Sequence, residues 1–234
     1  MSADPFVSPT GVGPNGDLPF ARSQRLAVFG GSFDPIHNGH LQLARRIIEL
    51  GQADEVLFVP AFRPPHKAEG ALSPALDRLA MLKLALEPFV DFSYSDIELQ
   101  RAEEFSYTYD TMTILRKIYP DCEICFIMGM DSLRHLPEWH RASELVQHFK
   151  FIIYPRPGVM PPAYTTLAQA FGERNAMKLF GSVLSGDDIV LSELSSSAIR
   201  AACARGEDLE QALPVPVWKY IVEHHLYQSA SHAQ

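Results

Sequence analysis

Gly30-Gly31-Ser32-Phe33-Asp34-Pro35-Ile36-His37-Asn38-Gly39-His40 decides how this chain is read. The apolar run Leu26-Ala27-Val28-Phe29 before it reads as a buried strand. Leu41 to Leu50 after it reads as a helix with Leu41, Ala44 and Ile48 on one face. The stretch is therefore a strand end, a glycine-containing loop and a helix start. Gly30 and Gly31 are expected to let a bulky ligand approach the backbone. A helix start offers unpaired N–H groups and the positive end of a dipole, which suits phosphate. His37 and His40 lie three apart at that start and can point toward the same anion. A phosphate site with two imidazoles and no catalytic carboxylate or serine beside it points to transfer chemistry on a nucleotide.

Outward from this stretch, strand-like and helix-like runs alternate. Glu55 to Val59 reads as a second buried strand, stopped by Pro60. Ser73 is the expected cap of a helix whose first turn holds Pro74, whose apolar stripe is Leu79, Leu82 and Leu86, and which ends at Pro88. A third strand falls within Val90 to Leu99, and Thr108 is the expected cap of a helix carrying Met112, Leu115 and Tyr119. Glu123 to Met128, Phe151 to Tyr154 and Ile189 to Leu191 read as strands. Ser196 or Ser197 caps a helix running to about Arg205, closed by Gly206, and Pro216 to about Tyr227 reads as the last helix. This alternation predicts an α/β fold: a doubly wound parallel sheet covered on both faces, with a small C-terminal helical part from about residue 196. In such sheets the ligand sits beyond the carboxyl ends of the strands, where strand order reverses. Residues 1–24, rich in Pro, Gly, Ser and Asp, are expected to form a flexible extension, and residues 25–234 a single domain.

Bulk properties narrow the partners. A net charge of −8 argues against a protein that grips long nucleic acid through a basic surface, but leaves room for a small anion held by local cations. No apolar run approaches the roughly 18 residues of a membrane span, and no signal pattern opens the chain, so a cytoplasmic protein without membrane contact is expected. Three cysteines do not make a disulfide framework. Cys122 and Cys125 have C-x-x-C spacing, but residues three apart at a strand face opposite sides, so they read as small core residues.

A second candidate cradle is Leu194-Ser195-Ser196-Ser197-Ala198-Ile199-Arg200, three hydroxyls at a helix start with an arginine one turn in. Alone it would read as an ordinary serine cap with a solvated arginine. Beside the first motif it reads as a second phosphate site.

Gly30 to His40 resembles the G-G-T-F-D-P-x-H-x-G-H motif of the HxGH nucleotidyltransferase superfamily of adenylyl- and cytidylyltransferases, with Ser32 in place of threonine. Leu194 to Arg200 resembles its I-S-S-T-x-I-R motif, with Leu194 and Ser197 as mild replacements. Pro64-Pro65-His66-Lys67, Asp96-Ile97-Glu98-Leu99, Ser106-Tyr107-Thr108-Tyr109-Asp110-Thr111, Gly129-Met130-Asp131-Ser132-Leu133 with Trp139, and Arg156-Pro157-Gly158 are similar to segments of the bacterial nicotinate-nucleotide adenylyltransferases. The resemblance spans about Leu26 to Tyr227.

It implies a Rossmann-like nucleotidyltransferase fold and the condensation of nicotinate mononucleotide with ATP, a step of NAD biosynthesis. The nucleophile is a phosphate oxygen, already an anion, so no general base is required. By resemblance His37 and His40 contact the ATP phosphates, with His40 nearest the reacting phosphorus. Ser196, Ser197 and Arg200 hold the β- and γ-phosphates, and Gly30, Gly31, Ser32 and Phe33 meet the nucleotides. Lys67 serves the mononucleotide phosphate or the transition state, and Gly129 and Asp131 lie along the ATP ribose. Trp139 stacks on the pyridine ring, and the backbone around Thr108 donates to the nicotinate carboxylate. Mg²⁺ enters on the ATP phosphates and takes no protein side chain. Asp131 reads about equally well as a helix cap. The alternative for Trp139 is a packed core ring, but its polar neighbours Glu138 and His140 favour stacking. The alternative for Lys67 is a solvated loop lysine, but the stiffness of Pro64-Pro65 favours a placed residue. Nicotinamide mononucleotide or pantetheine phosphate as acceptor, and a non-catalytic nucleotide sensor, are the competing readings. The oligomeric state is open.

Overall fold

The structure, a computed structural model, describes residues 24–65, 72–101, 105–185 and 194–228. Strand β1 (Arg25–Gly31) lies at the centre of a parallel sheet, between β2 (Glu55–Pro60) and β4 (Glu123–Gly129). β3 (Phe92–Tyr94) and β5 (Lys150–Tyr154) form the two edges, giving the order β3-β2-β1-β4-β5 among the described residues. The order reverses between β1 and β4, so a crevice opens beyond their carboxyl ends. The Gly30 to His40 stretch leaves one side of that crevice and Gly129 to Asp131 the other.

Period-two alternation distributes the strand residues between two cores. Ala27, Phe29, Val56, Phe58, Cys125 and Ile127 face one. That side is covered by α1 (Asn38–Glu49), α2 (Ala75–Leu86), α9 (Ser196–Ala204) and α10 (Val215–Glu223). Leu26, Val28, Leu57, Val59, Phe126 and Met128 face the other. Its cover comes from α4 (Thr108–Ile118), α5 (Met130–His135), α6 (Ala142–His148), α7 (Tyr164–Phe171) and α8 (Glu173–Gly181). Burial on both faces explains why these strands are almost continuously apolar. Cys125 and Cys122 pack against opposite clusters, and burial pushes the Cys125 thiol up to about 12.

Several local expectations are corrected. Pro74, not Ser73, holds the N-cap position of α2, while the Ser73 backbone turns to Asp34 and Arg78. Tyr107 is the N-cap of α4, which makes Thr108 its first residue. Ser195, not Ser196 or Ser197, caps α9, its hydroxyl accepting from the Ala198 N–H at 3.1 Å. After β3 the chain coils into the short α3 (Ile97–Arg101). The last helix stops at Glu223, because His225 and Tyr227 take positive φ angles that a helix cannot continue through. The expected strand at 189–191 and Lys67 lie outside the described residues, as does the N-terminal extension apart from Gln24.

Candidate active site

His37 is the N-cap of α1, and its extended backbone lets its N–H reach Nδ1 of His40 at 3.3 Å. The two rings stack with centroids 3.7 Å apart. A neutral imidazole that accepts at Nδ1 carries its proton on Nε2, so His40 is a hydrogen-bond donor at that atom. Phe33 and Phe29 lie edge-on to His40 at 5.2 Å and 5.8 Å and hold its ring in place. Burial, then the Arg156 charge, lowers His37 to about 4. Burial, then His37 and Arg156, holds His40 well below the ordinary imidazole value. Both rings are therefore neutral at neutral pH. His37 Nδ1 is buried without a partner among the described residues.

The two glycines before this pair serve packing. A Cβ on Gly30 would come within 3.1 Å of the Phe126 ring, and one on Gly31 within 3.0 Å of the Phe33 ring. Phe33 itself sits at φ 45°, a left-handed conformation that costs about 1–2 kcal/mol for a residue with a Cβ. Its buried ring, packed against Phe29 and Phe58, helps to hold it there.

Asp34 lies within the first motif, yet its carboxylate is only 1% exposed and is taken up by structural bonds. Oδ1 accepts from Tyr227 at 2.7 Å and Oδ2 from the Ser73 N–H at 3.3 Å. Arg200 Nη1 stands 3.8 Å from Oδ2 and donates to the Asp34 carbonyl at 2.7 Å. Ser196 donates its hydroxyl to the Pro35 carbonyl at 2.9 Å. The two motifs, some 160 residues apart in sequence, are thus hydrogen-bonded into one wall. Ser197 lies beside Arg200, its Oγ 3.5 Å from Nη2.

Across the crevice, Gly129 is required by a close approach: a Cβ there would stand 2.4 Å from Asp131 Oδ1. Gly129 is also the N-cap of α5, so Asp131 is not the cap. Asp131 Oδ2 lies 3.5 Å from Arg156 Nη1, and its buried Oδ1 has no partner among the described residues. Arg156 is further braced by the Tyr154 hydroxyl at 3.1 Å. Its charge is felt at both histidines, which brings to their side of the crevice a cation that spacing alone did not single out.

The remaining expected contacts lie at the start of α4. Ser106 Oγ accepts from the N–H groups of Phe62 and Arg63 at 3.0 Å and 3.3 Å, tying the loop after β2 to this start. Thr108 is half-buried beside Tyr107, whose ring meets His140 at 4.3 Å. Trp139 is half-buried and sets its ring edge-on to Phe126 at 6.1 Å, so part of it packs and part is open to a ligand. Sequence reasoning passed over Arg78, 1% exposed, and Tyr227. Arg78 had a legible signal, since it stands four and seven residues before the buried Leu82 and Ala85 and so on the core stripe of α2. A cavity of about 480 Å³ between α9 and α10, walled by Cys203, Glu207, Trp218 and Leu226 among others, includes no motif residue.

Residues 28–202 match the cytidylyltransferase-like family. A protein of Thermomicrobium roseum, named a probable nicotinate-nucleotide adenylyltransferase, is 37% identical over 205 residues, covering 88% of this chain and 92% of that one. A Bacillus pumilus protein of the same name is 36% identical, covering 88% of this chain and 100% of its own. Among solved structures, Plasmodium falciparum nicotinic acid mononucleotide adenylyltransferase complexed with NaAD superposes with a TM-score of 0.66 at 20% identity, covering 87% and 97% of the two chains. That likeness is one of fold.

Proposed function

Because the chain belongs to the cytidylyltransferase-like family, and to its nicotinate-nucleotide adenylyltransferase members in particular, we propose that it transfers the adenylyl group of ATP to nicotinate mononucleotide. The products are nicotinate adenine dinucleotide and pyrophosphate. The observation that carries this reading is the joining of the two anion cradles through Arg200 to Asp34 and Ser196 to Pro35. One wall then offers two neutral imidazoles, a guanidinium and two helix starts to a single polyphosphate chain.

The chemistry follows from these groups. An oxygen of the mononucleotide phosphate attacks the α-phosphorus of MgATP, and the bond to the α–β bridging oxygen breaks. That oxygen leaves with the pyrophosphate, and no proton need be removed from the nucleophile. Catalysis reduces to bringing two anions into line and stabilising charge on the α-phosphate. His40 donates from Nε2 toward the reacting phosphate, and His37 stands behind it. Arg200, with Ser196 and Ser197, receives the leaving phosphates, and Arg156 adds positive potential. Gly129 and Asp131 face the ATP ribose. The N–H groups at the start of α4 by Thr108 suit the nicotinate carboxylate, and Trp139 suits the pyridine ring. Lys67 is assigned to the mononucleotide phosphate or the transition state by resemblance. Mg²⁺ arrives as part of the substrate. Among the described residues no helix is long and apolar enough to cross a membrane, and we place the reaction in the cytoplasm.

The test is pyrophosphate release from MgATP with nicotinate or nicotinamide mononucleotide, side by side. The acid is expected to turn over at least about tenfold faster, since a carboxylate needs only donors while an amide also needs an acceptor. Equal or faster turnover of the amide would overturn the specificity, and no turnover of either would overturn the function.

A further inference from the structure

Arg78 is a buried cation whose hydrogen bonds run to carbonyl oxygens. Its Nε donates to Ser73 at 3.1 Å, Nη1 to Ser32 at 2.8 Å and to Ala61 at 2.7 Å, and Nη2 reaches Phe62 at 3.5 Å. These carbonyls belong to the loops that leave β1 and β2 at their carboxyl ends and to the approach to α2. A buried charge is costly, and an apolar side chain of similar size would fill the same space more cheaply. The arrangement therefore asks what the guanidinium orients.

In a trans peptide the C=O of one residue and the N–H of the next point in opposite directions. The loop after β2 displays this around Arg78. The Ala61 and Phe62 carbonyls turn toward the guanidinium, and the N–H groups of Phe62 and Arg63 turn away, onto Ser106 Oγ. The same rule applies to the peptide between Ser32 and Phe33, which is trans. Its carbonyl is held by Arg78, so the Phe33 N–H is directed to the other side, and it has no acceptor among the described residues. Phe33 is also the residue held at positive φ, a conformation that needs outside support.

We propose that Arg78 is a positioning residue for adenylyl transfer: by holding the Ser32 carbonyl it fixes the Phe33 N–H as a donor to the substrate phosphates. This rests on the adenylyl-transfer reading. A lysine at 78 keeps the charge but lacks the planar fork that reaches several carbonyls at once.

The experiment uses the full chain, wild type beside Arg78→Lys and Arg78→Met. It reads steady-state kcat and KM per folded molecule, and the Phe33 amide signal on adding Mg²⁺ with a non-hydrolysable ATP analogue. In the wild type the Phe33 amide is expected to shift on adding the analogue. In Arg78→Lys that shift is expected to be lost, and kcat to fall about 100-fold while either KM moves less than about threefold. A lowered thermal midpoint with unchanged kcat would show a purely structural arginine and overturn the proposal. So would an unshifted wild-type Phe33 amide, which decides the matter even if neither variant folds. Absence of turnover in the wild type would overturn the adenylyl-transfer reading, and with it the transfer role, whereas the amide shift reports separately on the N–H.

Discussion

The hydroxyl of Tyr227 donates to Oδ1 of Asp34 at 2.7 Å, joining residues 193 positions apart. The loop between β1 and α1 is thereby fastened to the end of the C-terminal helical part. Asn38 strengthens the same junction, its backbone N–H reaching the Ala212 carbonyl at 3.0 Å and its side chain the Gln211 carbonyl at 2.9 Å. Burial and the Asp34 contact both push the Tyr227 hydroxyl pKa up, so it remains a donor at any working pH.

Tyr227→Phe leaves the buried Asp34 oxygen without that donor. Stability is expected to fall by about 1–3 kcal/mol. Urea denaturation checks this: the midpoint should drop while the slope stays unchanged. An unchanged midpoint would mean that water replaces the hydroxyl at no cost.

His40 should tolerate one amide better than the other. Its Nδ1 is committed to the His37 N–H, leaving Nε2 as donor. Glutamine at 40 can place an amide nitrogen near the Nε2 position, whereas asparagine reaches only that of Nδ1. His40→Ala and His40→Asn should lower kcat about 100-fold or more, with ATP binding retained, and His40→Gln should lose less. Single-turnover rates with a parallel binding titration separate these outcomes. Asparagine outperforming glutamine would reverse the assigned tautomer.

Acid should weaken the fold through His37. Its folded value of about 4 lies below the ordinary 6.5, so between these the unfolded chain binds the extra proton. The contribution is full above pH 6.5 and is lost as pH falls toward 4, by about 3 kcal/mol in all. Denaturant midpoints at pH 7 and pH 4.5 should converge less for wild type than for His37→Gln. Equal pH dependence in both would remove His37 as a cause.

Glu55 shifts in the opposite sense. Burial, then Asp91 and Asp54, raises its carboxyl to about 7. The folded state holds that proton more tightly than the unfolded chain, so stability is lost as pH rises from 4.5 through 7. Glu55→Gln should raise the thermal midpoint by about 2 °C at pH 8 and have little effect at pH 5. A gain of the same size at both values would point to a cause other than ionisation.

The elements that were legible share one property: their signals are local. β1, its loop and α1 follow from a four-residue apolar run, two glycines and helical spacing from Leu41 onward. α5 to α8 left weaker traces, because they run only six to nine residues and carry few buried side chains each. Cap positions slipped by one residue at Pro74 and Tyr107 and by one or two at Ser195. Three adjacent serines, or a serine beside a proline, do not show which residue leaves helical geometry first.

Alternating apolar runs and the two motifs at the starts of α1 and α9 were determined by the sequence alone, since periodicity and spacing act over a few residues. The partners of the buried polar groups were decided only by the tertiary structure. Arg200 meets the Asp34 carbonyl, Asp34 meets Tyr227, and Arg78 meets Ser32 because the β3-β2-β1-β4-β5 order brings distant loops to one crevice. Asp34 and Arg78, nearly free of solvent, must find partners once water is excluded. Which partners they find depends on strand order and helix docking, and neither is written in the neighbouring residues.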